Sequence, residues 1–180
     1  MNSKTAIPIV ETERLILRDH RLSDFDAYAA LWRDPVVTRF IGGRARTREE
    51  SWARLLRHAG MWHHLGFGYW AIEEKASGAL IGEGGFQELR RNIEPSLEGT
   101  LEAGWSLLPT VHRKGYGSEA IGAMLGWAAA NFPGTAITCF IDPDNAASVR
   151  VAEKSGFVER IRTTYADEAV VIFDYRGSGR

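Results

Sequence analysis

Residues 98–118 read EGTLEAGWSLLPTVHRKGYGS, a strand-like run that ends in a basic loop spaced by glycines. Leu101, Ala103, Trp105 and Leu107 alternate with Glu102, Gly104 and Ser106, the period of a strand with two unlike faces. Glu102 therefore falls on the face opposite Trp105. Gly104 has no side chain in mid-strand, where glycine marks a bulge or the close approach of a ligand or another backbone; a bulge beside a cofactor is expected. After Pro109 the chain continues His112-Arg113-Lys114-Gly115-Tyr116-Gly117-Ser118. If this loop opens a helix, its N–H groups converge at a terminus that favours an anion, and the two glycines let a pyrophosphate come close. The stretch predicts a seat for a phosphorylated cofactor.

From Ser118 onward Ala120, Ile121, Met124, Leu125 and Ala128 share one helical face, and Gly122 and Gly126 are expected to allow close packing on a sheet. Asn131-Phe132-Pro133-Gly134 stops that helix. Residues 136–141, AITCFI, form a short apolar run bounded by turn residues, the pattern of a strand buried on both faces. Strand, crossover helix and strand make a βαβ unit.

In this order the motifs resemble the GNAT superfamily of acetyl-CoA-dependent N-acetyltransferases. The family's Gln/Arg-x-x-Gly-x-Gly/Ala motif appears as His112-Arg113-Lys114-Gly115-Tyr116-Gly117, with His112 departing from the usual first residue. Asp142-Pro143-Asp144-Asn145-Ala146-Ala147-Ser148, followed by Glu153-Lys154-Ser155-Gly156-Phe157, is similar to the family's Asn-x-x-Ser helix and its Lys-x-Gly-Phe ending. Thr12-Glu13-Arg14-Leu15-Ile16-Leu17-Arg18 resembles the first strand of the branch that holds the ribosomal-protein N-terminal acetyltransferases. The resemblance implies an α/β fold, one domain over residues 11–175 with a lead-in at 1–10 and a tail at 176–180. Its mixed, mostly antiparallel central sheet would be flanked by helices, with a splayed parallel strand pair that binds acetyl-CoA.

The resemblance also assigns residues. Trp105, Ser106 and Leu107 would lie along the cofactor's thioester, Arg113, Lys114, Gly115, Tyr116, Gly117 and Ser118 would hold its pyrophosphate, and Asn145 and Ser148 would add contacts. Glu102 would be the general base, with Glu83 as a second candidate, and Ser148 or a tyrosine such as Tyr165 would meet the departing thiolate. The substrate partner would be an amine, either a protein N-terminal α-amine as in the resembled branch or a small molecule. No metal is called for, and a homodimer is compatible with the reading.

Each site has a plainer alternative. Gly115-Tyr116-Gly117-Ser118-Glu119-Ala120 also fits the Gly-x-Gly-x-x-Gly/Ala dinucleotide fingerprint of an oxidoreductase, although that fingerprint follows its strand by a tight turn and opens an α/β domain. It could equally be an ordinary turn before a helix. Glu102 could be a solvated strand carboxylate, and Asn145 an N-cap. An acyl-CoA-binding regulatory module without turnover is the alternative from another functional class.

With 180 residues, 44% of them hydrophobic, the chain suits one well-packed domain. A net charge of −1 and a pI near 6.5 argue against a general nucleic-acid surface. No apolar run reaches the roughly 18 residues of a membrane span, and the polar start MNSKTA lacks a signal-peptide core, so a cytoplasmic protein without a membrane partner is expected. The lone Cys139 lies in the buried strand and is expected to be a core thiol.

Elsewhere, Leu22-Ser23-Asp24 predicts a helix start, with Phe25, Tyr28, Ala29 and Trp32 on its apolar face until Asp34-Pro35. A short helix is expected over Val36 to Ile41. Thr47-Arg48-Glu49-Glu50 has the form of a capping box for a helix running to about His64. Trp52, Leu55, Leu56, Ala59 and Trp62 are expected on its inner side, with Arg54, Arg57 and His58 outward. His58, His63 and His64 read as solvated rather than metal-binding. An antiparallel hairpin is predicted from Tyr69–Glu73 and Leu80–Gln87, and another around Asp167-Glu168. The polar insert Leu89 to Gly99 is expected to be mobile. Trp32, Phe40, Trp62 and that insert are the expected lining of an acceptor pocket.

Overall fold

The structure, a computed structural model, describes residues 6–177; the first five residues of the expected lead-in and the last three of the expected tail lie outside the described residues. Eight strands form one sheet: β1 (Val10–Glu11), β2 (Leu15–Arg18), β3 (Tyr69–Glu74), β4 (Ala79–Gln87), β5 (Leu101–Leu107), β6 (Ile137–Ile141), β7 (Phe157–Tyr165) and β8 (Glu168–Tyr175). Their spatial order is β1-β2-β3-β4-β5-β6-β8-β7, and every neighbouring pair is antiparallel except β5 with β6. The helices are α1 (Phe25–Arg33), α2 (Pro35–Thr38), α3 (Arg48–Leu65), α4 (Tyr116–Asn131) and α5 (Ala146–Lys154). The lead-in is tied down at Pro8, whose carbonyl accepts from Trp70 Nε1 at 2.8 Å, and Val10 pairs with Leu17. No described helix is long and apolar enough to cross a membrane.

Alternation along β3 sorts the core onto the two faces of the sheet. Trp70 and Ile72 join the cluster under α4, while Ala71 between them joins the cluster of Tyr28, Leu31, Trp32 and Leu55 under α1 and α3. On α4 the predicted face is the buried one: Ala120, Ile121, Met124, Leu125 and Ala128 are all at most 5% exposed. Burying Ile121, Met124 and Leu125 stabilises the helix by about 1.5–3 kcal/mol each. Gly122 and Gly126, however, lie on its outer side, where an added Cβ would meet nothing within 4 Å, so they do not serve close packing.

The capping box is present at α3: Thr47 Oγ1 accepts from the Glu50 N–H at 3.1 Å, and Glu50 Oε2 accepts from the Thr47 N–H at 2.8 Å. Gly66, at φ 75°, closes the helix. Its inner face differs from expectation. Ser51, Leu55, His58, Met61 and Trp62 are buried, whereas Trp52, Leu56 and Ala59 are exposed. The offset arises because the sheet beneath presents a buried carboxylate, Glu83, and α3 turns polar partners towards it. The short helix α2 covers Pro35–Thr38 rather than Val36 to Ile41, because Asp34 caps it by accepting from the Val36 N–H at 2.8 Å.

Two further expectations are corrected. Gly104 is not a bulge, for β4 and β5 stay in register from Gly82↔Leu107 to Gln87↔Glu102. The insert after Leu89 is anchored: Ile93 and Leu97 are buried with Val170 and Ile172 of β8.

Candidate active site

The parallel pair β5–β6 is in register at only two positions, Leu101↔Ile137 and Glu102↔Thr138. Beyond them β6 stays with β8 as far as Ile141↔Val171 and β5 stays with β4, so the sheet splits between Ala103 and Leu107 on one side and Cys139 to Ile141 on the other. The parity of β5 fixes which backbone groups face the split. The Leu101 N–H donates to Ala136 on the β6 side, and the Leu108 N–H donates to Ile81 on the β4 side. In an unbulged strand the N–H groups of Ala103, Trp105 and Leu107 then point into the split. His112 Nε2 lies 2.9 Å from the Leu107 carbonyl and ties the strand end to the loop that follows.

That loop carries a continuous run of unpaired donors. α4 starts after Gly115 with no side-chain cap, and Gly115 (φ 80°) and Arg113 (φ 63°) both take left-handed conformations. The N–H groups of Arg113, Lys114, Gly115, Tyr116, Gly117 and Ser118 find no acceptor among the described residues; the first loop-closing bond is Glu119 N–H to the Gly115 carbonyl, 3.1 Å. The loop is braced from behind. Arg14 donates from Nη1 to the Lys114 carbonyl at 2.8 Å and from Nε to Glu119 at 2.7 Å, and the Tyr116 hydroxyl donates to Glu74 at 2.7 Å. Tyr116 thus offers the loop's ligand only its N–H, its phenol being occupied. A rigid run of free donors at a helix N-terminus suits a phosphate or pyrophosphate.

On the Glu102–Gly104–Ser106 face of β5 lies a cavity of about 720 Å³. Of the predicted residues it brings together Glu102, Trp105, Ser106, Asn145, Ser148 and Tyr165. Leu107, the last residue of β5, and the Arg113–Ser118 loop beyond it do not line the cavity. Asn145 caps α5, its Oδ1 accepting from the Ser148 N–H at 3.2 Å. The expected lining is present in Trp32, Phe40 and Leu89 but not in Trp62. Trp62 instead packs against Trp70 and Trp127 in the core, its Nε1 donating to the Tyr69 carbonyl at 3.1 Å.

Glu102 is 4% exposed and tightly held. Arg91 donates from Nε to Oε2 at 2.8 Å and from Nη2 to Oε1 at 2.9 Å, while Gln87 Nε2 donates to Oε1 at 2.7 Å. Because Gln87 must turn its amide nitrogen to the carboxylate, its buried Oε1 is left without a partner in the cavity wall. Gly104 is explained here: a Cβ would collide with the hydroxyl of Tyr69, which occupies the space a side chain would fill. Burial pushes the Tyr69 pKa up, so this hydroxyl remains a donor at neutral pH. Tyr69, Gln87 and Arg91 carry no periodic signal and escape sequence reasoning; only the glycine opposite Tyr69 hints at the first.

Behind the cavity wall Glu83 is fully buried and does not line the cavity. Arg54 donates to its Oε1 from Nη2 at 2.8 Å, and His58 Nε2 lies 2.9 Å from Oε2. Burial alone would raise the Glu83 pKa, but Arg54 and then His58 outweigh it and hold the carboxyl well below its usual range. His58 is 1% exposed rather than solvated, and burial pulls its pKa down to about 4 against the upward pull of Glu83. Ligand atoms of His20, His58 and Glu83 lie within 4.8 Å of one another, yet the Arg54 guanidinium already neutralises the carboxylate and would repel a cation. The cluster is a structural ion pair. Burial, above all, also pushes the Cys139 thiol up, as suits a core residue.

A model of the acetyltransferase (GNAT) domain matches residues 14–158. The chain is 29% identical over 151 residues to the uncharacterized N-acetyltransferase YoaA of Bacillus subtilis, covering 83% of this chain and 82% of that protein. Among solved structures, a putative GnaT-family acetyltransferase from Bordetella pertussis superimposes with a TM-score of 0.83 at 27% identity, covering 93% of this chain and 99% of that one. RimL, a ribosomal L7/L12 α-N-protein acetyltransferase in complex with coenzyme A, shares the fold with a TM-score of 0.74 at 17% identity, covering 93% of this chain and 97% of its own. The dinucleotide reading of the glycine loop falls away, since the loop follows an antiparallel meander and a turn at Pro109–Val111 instead of opening a parallel sheet.

Proposed function

The chain belongs to the acetyltransferase (GNAT) family, and from that premise we propose that it transfers the acetyl group of acetyl-CoA to a primary amine bound in the cavity beside Glu102. The observation that supports this most is the run of six free N–H groups from Arg113 to Ser118, set just beyond the end of a split strand pair. Those donors, with the charges of Arg113 and Lys114, suit the cofactor's pyrophosphate. The pantetheine arm would enter the split, and acetyl-CoA supplies the activated acyl group.

The chain's own groups divide the remaining work. N–H groups of Trp105 and Leu107 face the split and would donate to the carbonyl oxygen as it gains negative charge. The orphaned Gln87 Oε1 accepts from the amine and aims its nitrogen. Glu102, with three hydrogen bonds already fixed, has one lone-pair direction left to take the amine's proton, directly or through water. A strong base is not needed for an α-amine of pKa about 7.7–8.0, which is roughly a tenth or more deprotonated at neutral pH. That favours a protein or peptide N-terminus over a lysine near 10.4. As the C–N bond forms and the C–S bond breaks, Ser148 on α5 or Tyr165 would donate to the departing thiolate.

Calorimetry with acetyl-CoA and NAD, followed by an assay of free CoA thiol across a panel of amines, tests the reading. Binding of acetyl-CoA with amine-dependent thiol release is expected. Tighter binding of NAD would overturn it, and tight acetyl-CoA binding without turnover would leave an acyl-CoA-binding module.

A further inference from the structure

The cavity is electrically lopsided. The wall formed by the segment after α2 and by α3 contributes Arg39, Arg46, Arg54 and Arg57, and the insert contributes Arg91. Two of these are matched, Arg91 by Glu102 and Arg54 by Glu83. Arg39, Arg46 and Arg57 have no carboxylate partner among the described residues: Arg46 donates from Nη2 to the Ile41 carbonyl at 3.1 Å, and Arg39 lies over the Phe40 ring at 5.0 Å. Partial burial and the like charge of Arg54 both pull the Arg57 pKa down, as befits a cation crowded by a cation. The acidic lining residues without an arginine, Asp142 and Glu168, lie across the cavity, at the end of β6 and the start of β8. Three unmatched guanidiniums on one wall would repel a polyamine or an aminoglycoside, and their planar forks match carboxylate geometry.

Resting on the acyl-transfer reading above, we propose that the acceptor is an anionic amine: a molecule whose amine turns to Glu102 and Gln87 while its carboxylate is held by Arg39, Arg46 and Arg57. The shared chemistry is a primary amine with a carboxylate behind it. A free amino acid supplies it from its own α-carboxylate, and a peptide supplies it from acidic side chains that follow its N-terminus.

The test measures binding by calorimetry to protein saturated with CoA, and again without CoA so that the arginines' preference is read even if the cofactor reading fails. The probes are the peptide amides Ser-Glu-Glu-Ala, Ser-Gln-Gln-Ala and Ser-Lys-Lys-Ala, and free glutamate. The acidic peptide or glutamate should bind at least about tenfold more tightly than the glutamine and lysine peptides, with the advantage shrinking as salt screens it. Whichever of the two binds better identifies the source of the carboxylate. Replacing all three arginines by glutamine should abolish the preference, and Arg57→Glu alone should move it towards the lysine peptide. Equal or tighter binding of the neutral or lysine peptide, no binding of either anionic probe, or an undiminished preference in a folded triple variant overturns the proposal.

Discussion

Arg91 grips both carboxylate oxygens of Glu102, at 2.8 and 2.9 Å, across the mouth of the split sheet. The grip orients the carboxylate, and its proposed role as the base is measurable as a pH effect. Glu102→Gln should leave acetyl-CoA affinity within about twofold and lower turnover by about two to four orders of magnitude at neutral pH. The two proteins should converge as pH passes the acceptor's pKa, about 7.7–8.0 for an α-amine, because the amine then loses its proton unaided. A pH–rate series at saturating cofactor, on variants shown to be folded, checks this; equal rates at pH 7 would remove Glu102 from the proton path.

Tyr69 and Gly104 share one volume, which makes their substitutions interdependent. Gly104→Ala should lose about 1–3 kcal/mol, as overpacking does, with a fall of several degrees in Tm. Adding Tyr69→Phe removes the colliding hydroxyl and should recover part of the loss. Thermal melts of the two single variants and the double variant form the cycle, and strict additivity would mean the two residues do not meet.

Gly117 separates binding from folding. A Cβ there would have Leu107 Cδ1 at 3.7 Å and Val151 Cγ1 at 3.8 Å, ordinary contact distances. Gly117→Val should therefore change stability by less than about 1 kcal/mol. The added methyls would crowd the phosphate seat and weaken acetyl-CoA binding by at least about tenfold. Calorimetry beside a denaturation curve tests both halves; an unaltered affinity would mean the phosphates sit elsewhere.

The buried pair of His58 and Glu83 sets the acid limit. His58 has a folded pKa of about 4 against about 6.5 unfolded, so between those values the unfolded chain binds a proton that the folded chain refuses. The contribution of His58 to stability is therefore constant above about pH 7 and falls as pH drops towards 4, by a few kcal/mol. Glu83, held low by Arg54, extends the loss below its unfolded pKa. Urea denaturation at pH 7.5, 6.5 and 5.5 should show the decline, and His58→Gln should flatten it in this window. A wild-type curve without slope there would contradict the assignment.

What could be read from the chain was whatever repeats at a short interval. The two-residue period of Leu101 to Leu107, the face of α4 and the Thr47–Glu50 cap all follow from neighbours within a few positions. What could not be read depends on partners far along the chain. His58 reads as an outward polar residue on α3 because the carboxylate that draws it inward is Glu83, on another element. Gly104 suggests a bulge because the ring filling its space belongs to Tyr69, on a strand not adjacent to β5. Arg91 sits in a polar insert with no pattern, and only the fold lays it against Glu102.

The two-rung join between β5 and β6 divides the hydrogen bonding of the sheet into two leaves, β1 to β5 in one and β6 to β8 in the other, over one shared core. Anything lodged in the split touches both leaves and acts as a rivet. For a ligand at a hundred times its Kd, that rivet adds about 2.7 kcal/mol to the folded state. With an acyl thioester as the proposed rivet, the protein's survival against unfolding and proteolysis would rise and fall with the cell's supply of that thioester. Scarcity would then thin out the catalyst as well as starve it.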